Sequence, residues 1–398
     1  MFRSAIVKLT AVCDIDCSYC YMFNQADRTF ERMPARMALP TALRLLDRIC
    51  DYHPRGEPEP FSIVLHGGEP MLWPDASFAE LLSQIASRRE QGWNLDVAIQ
   101  TNLVQPIAPQ LLSLFREHRV SLGVSLDGPL EVNDAARVDK LGRGTYARVM
   151  ANVERMLADG DGGLIGGFLA VANPALPPVE FLAWVRSLPI SKVDVLWPIE
   201  FNWRHPPWPL GASRAYAAAP RYGAWYAELF RAWWALDDPG ITIRLFNNLL
   251  HVALGGLGHI DALVNDSYNM FVVNTDGSYE YPDYLRVAGD GSAGTSFHIA
   301  MDGIAALAGD PLFARLLNLR AELPAKCSGC RHRLICGGGF LPGRSDAKDG
   351  IAQRESVLCA DQMYFFDTAL GLIESSLQQR GSHAHSDPEN AAATGSQA

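Results

Sequence analysis

The sequence predicts an α/β protein whose first half is a partial barrel of six βα units with parallel strands. Six apolar, β-type segments alternate with amphipathic helical segments over the first 200 residues, which is the pattern of repeated βαβ units. Short polar motifs directly follow the first four strand segments, and both barrels and open sheets place their sites at the carboxyl ends of parallel strands. Four consecutive strand ends converge more readily at a barrel mouth than at the single crevice of an open sheet. No G-x-G-x-x-G motif follows the first strand to support a dinucleotide-binding fold.

Each element of this first half is predicted from its hydrophobic pattern. The strands are short apolar runs, and the helices carry apolar residues three and four positions apart. The predicted strands are 5–10, 61–67, 93–101, 120–128, 164–173 and 192–198. The predicted helices lie near 38–52, 76–91, 107–118, 144–159 and 178–187. Because these apolar strands are separated by helices, we expect βαβ units and a parallel sheet.

The sequence pattern changes after about residue 200. A loop rich in Pro and Trp precedes a helix at 221–238 that has aromatic residues at helical spacing, and an Asp-Gly pair within 274–283 predicts a hairpin. The last residues are small, polar and without pattern, which is typical of disorder. The predicted regions are a barrel at 1–205, a helical bridge at 206–265, an α+β domain at 266–378 and a disordered tail at 379–398.

Composition excludes several classes of protein. The 398 residues carry a formal net charge of −10 without any basic block, so we expect no binding to nucleic acid phosphates. No apolar run reaches the roughly 20 residues of a membrane span, and the first residues lack the features of a signal peptide. We therefore expect a cytoplasmic protein with reduced thiols, in which clustered cysteines indicate metal binding rather than disulfides.

Three cysteines lie close together after the first strand. Cys13, Cys17 and Cys20 form a C-x3-C-x2-C motif, and three thiols cannot all pair in disulfides. A structural zinc site requires four protein ligands, and the loop contains no histidine to complete one. A 4Fe–4S cluster bound by only three thiolates would keep open coordination sites on its fourth iron, where a small chelating molecule could bind.

This motif, with the aromatic Tyr19 before its last cysteine, resembles the signature of radical S-adenosylmethionine (radical SAM) enzymes. The resemblance implies a partial (β/α)6 TIM-like barrel in which Cys13, Cys17 and Cys20 hold a 4Fe–4S cluster. It also implies that S-adenosylmethionine chelates the fourth iron through its amino and carboxylate groups. An electron from the cluster would then cleave the cofactor to methionine and a 5′-deoxyadenosyl radical, while the protein positions the reactants and excludes water.

Residues at the later strand ends fit the same family. Gly67 and Gly68 would let the backbone approach closely, and Glu69 would bind the methionine ammonium group of the cofactor. The other cofactor contacts implied by the resemblance are Tyr19, Thr101, Asn102, Ser125, Asp127 and Arg137. Among these, the resemblance assigns Ser125 and Asp127 to the ribose-contacting strand and Arg137 to the methionine carboxylate.

A second set of cysteines lies near the C-terminus and consists of Cys327, Cys330, Cys336 and Cys359. Four thiolates can bind zinc or close a 4Fe–4S cluster, and the spacing alone leaves both open. The segment resembles the SPASM domain, a C-terminal iron–sulfur extension whose full pattern holds two auxiliary 4Fe–4S clusters. Pro282 and Phe340 stand where ligands of one cluster are expected. The resemblance therefore implies one auxiliary cluster, bound by this second set, and two 4Fe–4S clusters in all.

The resemblance also suggests a substrate. Radical SAM enzymes with SPASM-type extensions typically modify ribosomally made peptides, and the retained "DGSYE" resembles FxsB-type peptide maturases. Several relatives join an aromatic ring carbon to the β-carbon of a nearby residue, which forms a cyclophane. The implied partners are a precursor peptide and an electron donor such as flavodoxin or ferredoxin. Two alternatives stay open: another radical maturase that activates sulfatases, forms thioethers or epimerises residues, and a non-catalytic iron–sulfur electron carrier.

Asp283 follows the missing ligand position at Pro282. An acidic residue at this place in related sulfatase-maturing enzymes removes a substrate proton, and ring coupling must also lose one. A turn or capping aspartate is the structural alternative. Asp283 is therefore the candidate catalytic base, with both interpretations open.

Overall fold

A single mixed sheet organises the computed structural model of the protein, which describes residues 1–209, 211–258, 260–263, 268–319, 323–346, 350, 351 and 353–384. Its strands are β1 Ser4–Thr10, β2 Phe61–Gly67, β3 Leu95–Thr101, β4 Ser121–Ser125, β5 Ile165–Val171, β6 Lys192–Leu196, β7 Thr242–Ile243, β8 Met270–Val273, β9 Ser278–Glu280 and β10 Gly294–His298. They are hydrogen-bonded in the order β10-β9-β8-β1-β2-β3-β4-β5-β6-β7. The sheet therefore joins the first half of the chain to the C-terminal strands.

The predicted α/β fold is confirmed. Strands β1 to β6 pair in sequence order, and every one of these pairs is parallel. Helices separate them, as repeated βαβ units require. All six predicted strands form within a few residues of their predicted bounds, so the polar motifs after β1, β2, β3 and β4 lie at one end of the sheet.

The C-terminal strands extend the sheet beyond β1, which the sequence pattern did not predict. Strand β8 pairs in parallel with β1, with Ser4 opposite Met270 and Val7 opposite Val273. The predicted hairpin forms between the antiparallel strands β8 and β9, and Gly277 in its turn has a φ of 98°, a conformation that favours glycine. Strand β9 runs back towards the amino end of β1, but the segment after it returns to the first cysteine loop, since Asp283 contacts Lys8 of β1 and Tyr21 of that loop.

Helices surround the sheet. They are α1 Leu39–Tyr52, α2 Asp75–Glu90, α3 Pro109–Glu117, α4 Leu130–Ala136, α5 Tyr146–Ala158, α6 Pro178–Ser187, α7 Ser213–Ala218, α8 Arg221–Leu236, α9 Arg244–Ala253, α10 Ile304–Leu307, α11 Pro311–Leu316, α12 Ala325–Ser328, α13 Arg333–Cys336 and α14 Cys359–Ala384. In α1 the buried residues are Ala42, Leu45, Leu46 and Ile49, the spacing of one helical face.

Helix α14 packs along α8, and this contact joins the C-terminal region to the barrel. The ring of Phe365 lies 5.6 Å from that of Tyr226 and 6.2 Å from that of Phe230. Asp361 accepts hydrogen bonds from the backbone N–H groups of Tyr222 and Gly223, each at 2.9 Å, so it caps the first turn of α8. The aromatic residues of α8 are thus largely core residues, and they hold the second cysteine set near the barrel.

The last helix extends to Ala384, beyond residue 379, where the sequence predicts the disordered tail to begin. Residues 385–398 of that predicted tail lie outside the described residues. Within the described part of the chain, no helix combines the length and hydrophobicity needed to cross a bilayer.

Candidate active site

The first cysteine loop begins three residues after β1. Cys17 is buried and Cys13 and Cys20 are partly buried, and the backbone of the loop donates two hydrogen bonds to the carbonyls of Ala136 and Val138, at and just beyond the end of α4. Burial raises the pKa of Cys13 to about 12 and that of Cys17 to about 11. Thiols in this environment are ionised at neutral pH only when a positively charged group coordinates them, so the donor set fits a metal cluster.

Two glycines bring the end of β2 against this loop. A Cβ on Gly67 would collide with the backbone of Thr10, and one on Gly68 would collide with the carbonyl of Val12. Gly67 also has a φ of 141°. The close approach is held by backbone bonds of 2.9 Å from Gly68 N–H to Thr10 O and from Glu69 N–H to Val12 O. The predicted glycine requirement therefore arises from contact between the two strand ends.

The carboxylate of Glu69 lies at the centre of the strand ends. Its Oε1 accepts hydrogen bonds from Met71 N–H at 3.0 Å and from the Thr101 hydroxyl at 2.7 Å. Its Oε2 accepts one from Asn102 N–H at 2.7 Å. Burial raises the pKa of Glu69 to about 7, although these bonds oppose the shift. Since a carboxylate has about four acceptor sites, one site remains for a cation.

Asn102 connects β3 to the cysteine loop. Its Nδ2 donates to Asp14 Oδ1 at 2.8 Å and lies 3.8 Å from the sulfur of Cys13. The other carboxylate oxygen of Asp14 is buried and has no hydrogen-bond partner among the described residues. A buried oxygen without a partner costs free energy, so this oxygen is a candidate acceptor for a bound ligand.

A second polar group lies on the other side of the loop. Tyr19 donates to Asp127 Oδ2 at 2.6 Å, and Arg137 Nη1 donates to the hydroxyl of Tyr19 at 2.7 Å. Asp127 Oδ1 accepts from Val171 N–H at 3.1 Å. Nε of Arg137 is buried and unpartnered within the described residues. Three residues predicted from separate motifs therefore form one connected group, with a donor left over.

Ser125 is held differently. Its hydroxyl accepts a hydrogen bond from Gln100 Nε2 at 2.8 Å, and in the described structure it bonds to none of the other predicted cofactor contacts. The structure thus joins Glu69, Thr101 and Asn102 in one group and Tyr19, Asp127 and Arg137 in another. Ser125, the last residue of β4, bonds to Gln100 and belongs to neither group.

Asp283 belongs to a buried network that sequence reasoning missed. Its Oδ2 forms an ion pair with Lys8 and accepts a hydrogen bond from the Tyr21 hydroxyl at 2.6 Å. Lys8 Nζ also lies 3.2 Å from His66 Nδ1. Asp283 is the first residue of a 3₁₀-helix at Asp283–Ala288, yet its carboxylate caps nothing there and points to β1. The available signals were the lone charge of Lys8 in an apolar strand and the histidine preceding "GGEP".

The charges of this network follow from their surroundings. Burial alone would raise the pKa of Asp283, but the cation of Lys8 and the bonds from Lys8 and Tyr21 hold it below its usual range. Burial lowers the pKa of Lys8, and the charge of Asp283 opposes that shift. Burial, reinforced by Lys8, lowers the pKa of His66 to about 3. Asp283 is therefore an ionised carboxylate and His66 a neutral imidazole. Oδ1 of Asp283 has no hydrogen-bond partner within the described residues.

The second cysteine set converges on one cavity. Cys327, Cys330, Cys336 and Cys359 all line this cavity. Burial raises the pKa of Cys327 to about 11, and the neighbouring thiols add to the shift. Four sulfurs around one cavity fit the donor set of a cysteine-bound 4Fe–4S cluster. Among the described residues, no group of three or more Cys, His, Asp or Glu side chains is placed to hold a single metal ion.

A packed side chain occupies one position where the SPASM resemblance expects a further cluster ligand. The ring of Phe340 lies 5.5 Å from the ring of Tyr284. Nearby, the buried Arg286 pairs with Asp27 at 3.0 Å and with Glu280 at 2.7 Å. These contacts fix the 3₁₀-helix that carries Asp283, so apolar packing and an ion-pair network stabilise this region.

Comparison with known proteins identifies the first half of the chain. Residues 7–165 match the model of the radical SAM superfamily. This part of the chain is a radical SAM domain. The cysteine loop and the Glu69 group both lie within it, as the sequence resemblance implied.

Relatives and solved structures share this domain and its extension. A serine-type anaerobic sulfatase-maturating enzyme of Bacteroides thetaiotaomicron is 28% identical over 181 residues, which are 45% of this chain and 42% of the relative. A cysteine-type anaerobic sulfatase-maturating enzyme of Clostridium novyi is 22% identical over 372 residues, 89% of this chain and 91% of the relative. The structure of anSMEcpe with bound AdoMet superposes with a TM-score of 0.76 at 18% identity, covering 94% of this chain and 99% of that one.

A further similar structure is that of Streptococcus suis SuiB bound to the precursor peptide SuiA. It has a TM-score of 0.54 at 16% identity and covers 90% of this chain and 76% of that one. At these identities the superpositions show the fold, which extends through the C-terminal region. The prediction of a radical SAM domain is confirmed for residues 7–165, while the cluster ligands, the individual cofactor contacts and the FxsB-type assignment stay predictions.

Proposed function

We propose that the protein is a radical SAM peptide maturase that installs a carbon–carbon crosslink, from an aromatic ring carbon to a β-carbon, in a ribosomally made precursor peptide. Cys13, Cys17 and Cys20 would hold one 4Fe–4S cluster, and the four C-terminal cysteines would hold the other. When bound, S-adenosylmethionine and the first cluster supply a radical that removes a hydrogen atom from the substrate, and the second supplies a one-electron acceptor.

The chain's own residues bind and orient the cofactor. Glu69 offers its remaining acceptor site to the ammonium group, and the three bonds it already accepts fix its position. Arg137 offers its unpartnered Nε to an acceptor on the ligand, and Tyr19 holds both Arg137 and Asp127 in place. Because these groups are buried and mutually bonded, they provide preorganised polar contacts in a site from which water is largely excluded.

The observation that carries the proposal is the buried carboxylate of Asp283. Forming the crosslink removes two hydrogens from the peptide: one leaves as an atom, and the other must leave as a proton together with an electron. Asp283 is 3% exposed and ionised, and its Oδ1 lacks a hydrogen bond in the described structure, so this oxygen is open to that proton. The lowered pKa makes Asp283 a weak base, so the proton must come from an acidic, oxidised form of the substrate. Lys8 and Tyr21 hold the carboxylate through Oδ2. The ion pair with Lys8 would thus keep Asp283 ionised and in place to accept the proton.

A second candidate function is sulfatase activation. It is favoured by the match to the cysteine-type sulfatase-maturating enzyme over 89% of this chain and by the TM-score of 0.76 with anSMEcpe. Under this alternative the substrate is a cysteine or serine side chain rather than an aromatic ring. Asp283 would remain the proton acceptor, so the product has to separate the two functions.

Product analysis provides that separation. The protein is co-expressed with a short open reading frame encoded beside its gene, and the peptide is analysed by mass spectrometry. A crosslink makes the peptide lighter by the mass of two hydrogens and suppresses fragmentation between the joined residues. Oxidation of a serine hydroxyl to an aldehyde gives the same mass, so the product is also treated with a hydrazide, which labels only the aldehyde. A labelled peptide would favour sulfatase activation, and Cys17→Ala is the inactive control.

The role of Asp283 has its own test. In Asp283→Asn, peptide crosslinking should fall by about 100-fold or more, the range for loss of a general base, while 5′-deoxyadenosine formation falls much less because cofactor cleavage precedes proton loss. Asp290→Asn is the matched control, since Asp290 is half exposed and pairs with Arg32 at 3.0 Å. Equal loss of both activities in Asp283→Asn would show that the carboxylate only supports the site.

A further inference from the structure

Gln362 is a buried polar residue in the wall of the four-cysteine cavity. It lies on α14 three positions after Cys359, so the two side chains lie on one face of the helix. The residue is 2% exposed, and it lines the same cavity as the four thiols. Neither its Nε2 nor its Oε1 has a hydrogen-bond partner among the described residues. Each buried polar group left without a partner costs about 1–3 kcal/mol.

No side chain of the surrounding wall bonds to the amide within the described residues, and the wall leaves room for it. Met363 and Phe366, which also line the cavity, are apolar. His332 is bonded to Asp367 at 2.8 Å instead. A Cβ on Gly339 would press against Oε1 of Gln362, and Gly339 has a φ of 91°. The local backbone therefore accommodates this amide, while the protein leaves its hydrogen-bonding capacity unused.

We propose that Gln362 donates a hydrogen bond from its carboxamide to a sulfur of the auxiliary cluster and raises the reduction potential of that cluster. This inference rests on the proposed cluster. Thiolate and sulfide sulfurs accept hydrogen bonds, and a carboxamide NH₂ is a donor of suitable reach. A donor stabilises the reduced state more than the oxidised state because the reduced cluster carries more negative charge, and such bonds help to set cluster potentials. Gln362 thus makes the cluster a better electron acceptor.

The potential of the auxiliary cluster is the measured quantity. The full chain with Cys13, Cys17 and Cys20 all changed to Ala would retain only this cluster, whose reduction is followed by electron paramagnetic resonance during a redox titration. Adding Gln362→Met removes the donor and keeps an unbranched side chain of similar length. At a fixed potential the ratio of reduced to oxidised cluster should fall about tenfold, which is about 59 mV for one electron.

Met363→Leu is the matched control, because it changes the same wall without changing a donor, and its potential should equal that of the parent. If Gln362→Met loses iron, the parent protein is instead labelled with ¹⁵N in its glutamine side chains and studied by pulsed electron paramagnetic resonance. A magnetic coupling between a side-chain nitrogen and the reduced cluster is then expected. An unchanged potential, or no coupling, overturns the role of Gln362. A parent without iron refutes the auxiliary cluster itself and with it this inference.

Discussion

Binding of S-adenosylmethionine should weaken as the pH falls below 7, because Glu69 must be ionised to hold an ammonium group. Burial raises the pKa of Glu69 from 4.5 to about 7, against hydrogen bonds from Asn102, Thr101 and Met71 that favour the carboxylate. At pH 6 most molecules therefore carry a neutral carboxyl group at this position, and binding the cation first requires release of that proton. The substitution Glu69→Gln removes both the charge and the titration.

The size of the effect follows from the pKa. With a value of about 7, the ionised fraction is about one in eleven at pH 6 and about ten in eleven at pH 8, so the affinity should fall about tenfold, or about 1.4 kcal/mol. The raised pKa of Glu69 has the opposite effect on folding stability, which is greater at low pH. Because the folded-state pKa lies above the unfolded value, Glu69 favours the folded cofactor-free protein at low pH. That contribution, about 3 kcal/mol for the shift from 4.5 to about 7, is lost as the pH rises through 7.

The assay is equilibrium dialysis of the cofactor against anaerobically reconstituted protein between pH 6 and pH 8. The amino group of the cofactor also titrates near the upper end of this range, at about 8. The quantity to compare is therefore the ratio of the wild-type affinity to the Glu69→Gln affinity at each pH. The ratio should rise about tenfold from pH 6 to pH 8. A ratio that stays constant would refute the assignment of Glu69 to the ammonium group.

Two further predictions follow from the cysteines and from the buried ion pair. A variant in which Cys13, Cys17 and Cys20 are all changed to Ala should form no 5′-deoxyadenosine but should keep about four irons per chain in the auxiliary site. Elemental analysis measures the metal content, and about eight irons, or zinc, would contradict the cluster assignment. Lys8→Met should lower the free energy of unfolding by about 3–5 kcal/mol, because it leaves the carboxylate of Asp283 buried without its cation, whereas Lys8→Met with Asp283→Leu should lose less. Denaturant unfolding of the reconstituted proteins measures this difference, and equal losses in the two variants would show that the pair is not coupled.

Much of the fold could be predicted because its signals are local. Strands β1 to β6 are short apolar runs separated by amphipathic helices, and parallel pairing brings their carboxyl ends to one edge. The motif at Gly67, Gly68 and Glu69 was therefore expected near the cysteine loop. The structure adds a cause that the sequence does not display, since the glycines allow contact with the backbone of Thr10 and Val12.

The position of β8 could not be predicted, because it depends on pairing between distant segments. Strand β8 pairs with β1, and this brings Asp283 to Lys8 across 275 positions of sequence. A hairpin signal at residues 274–283 specifies a turn and two strands, but it carries no information about which edge of the sheet they join. For the same reason the motif analysis named Asp283 without finding its partners.

The choice between a turn residue and a proton acceptor at Asp283 can now be argued from energetics. A buried ion pair is weak evidence for stability, since apolar residues of similar size often replace such pairs without loss. The side chains of Lys8 and Asp283 are only 1% and 5% exposed, so removing each of the two charges from water costs free energy. Apolar packing would satisfy strand β1 equally well, and a turn would not require a carboxylate directed away from its own backbone. A role in the reaction accounts for the two buried charges at this end of the sheet. The carboxylate of Asp283 must stay ionised at neutral pH, which the cation of Lys8 favours, and it must keep one oxygen available to a substrate.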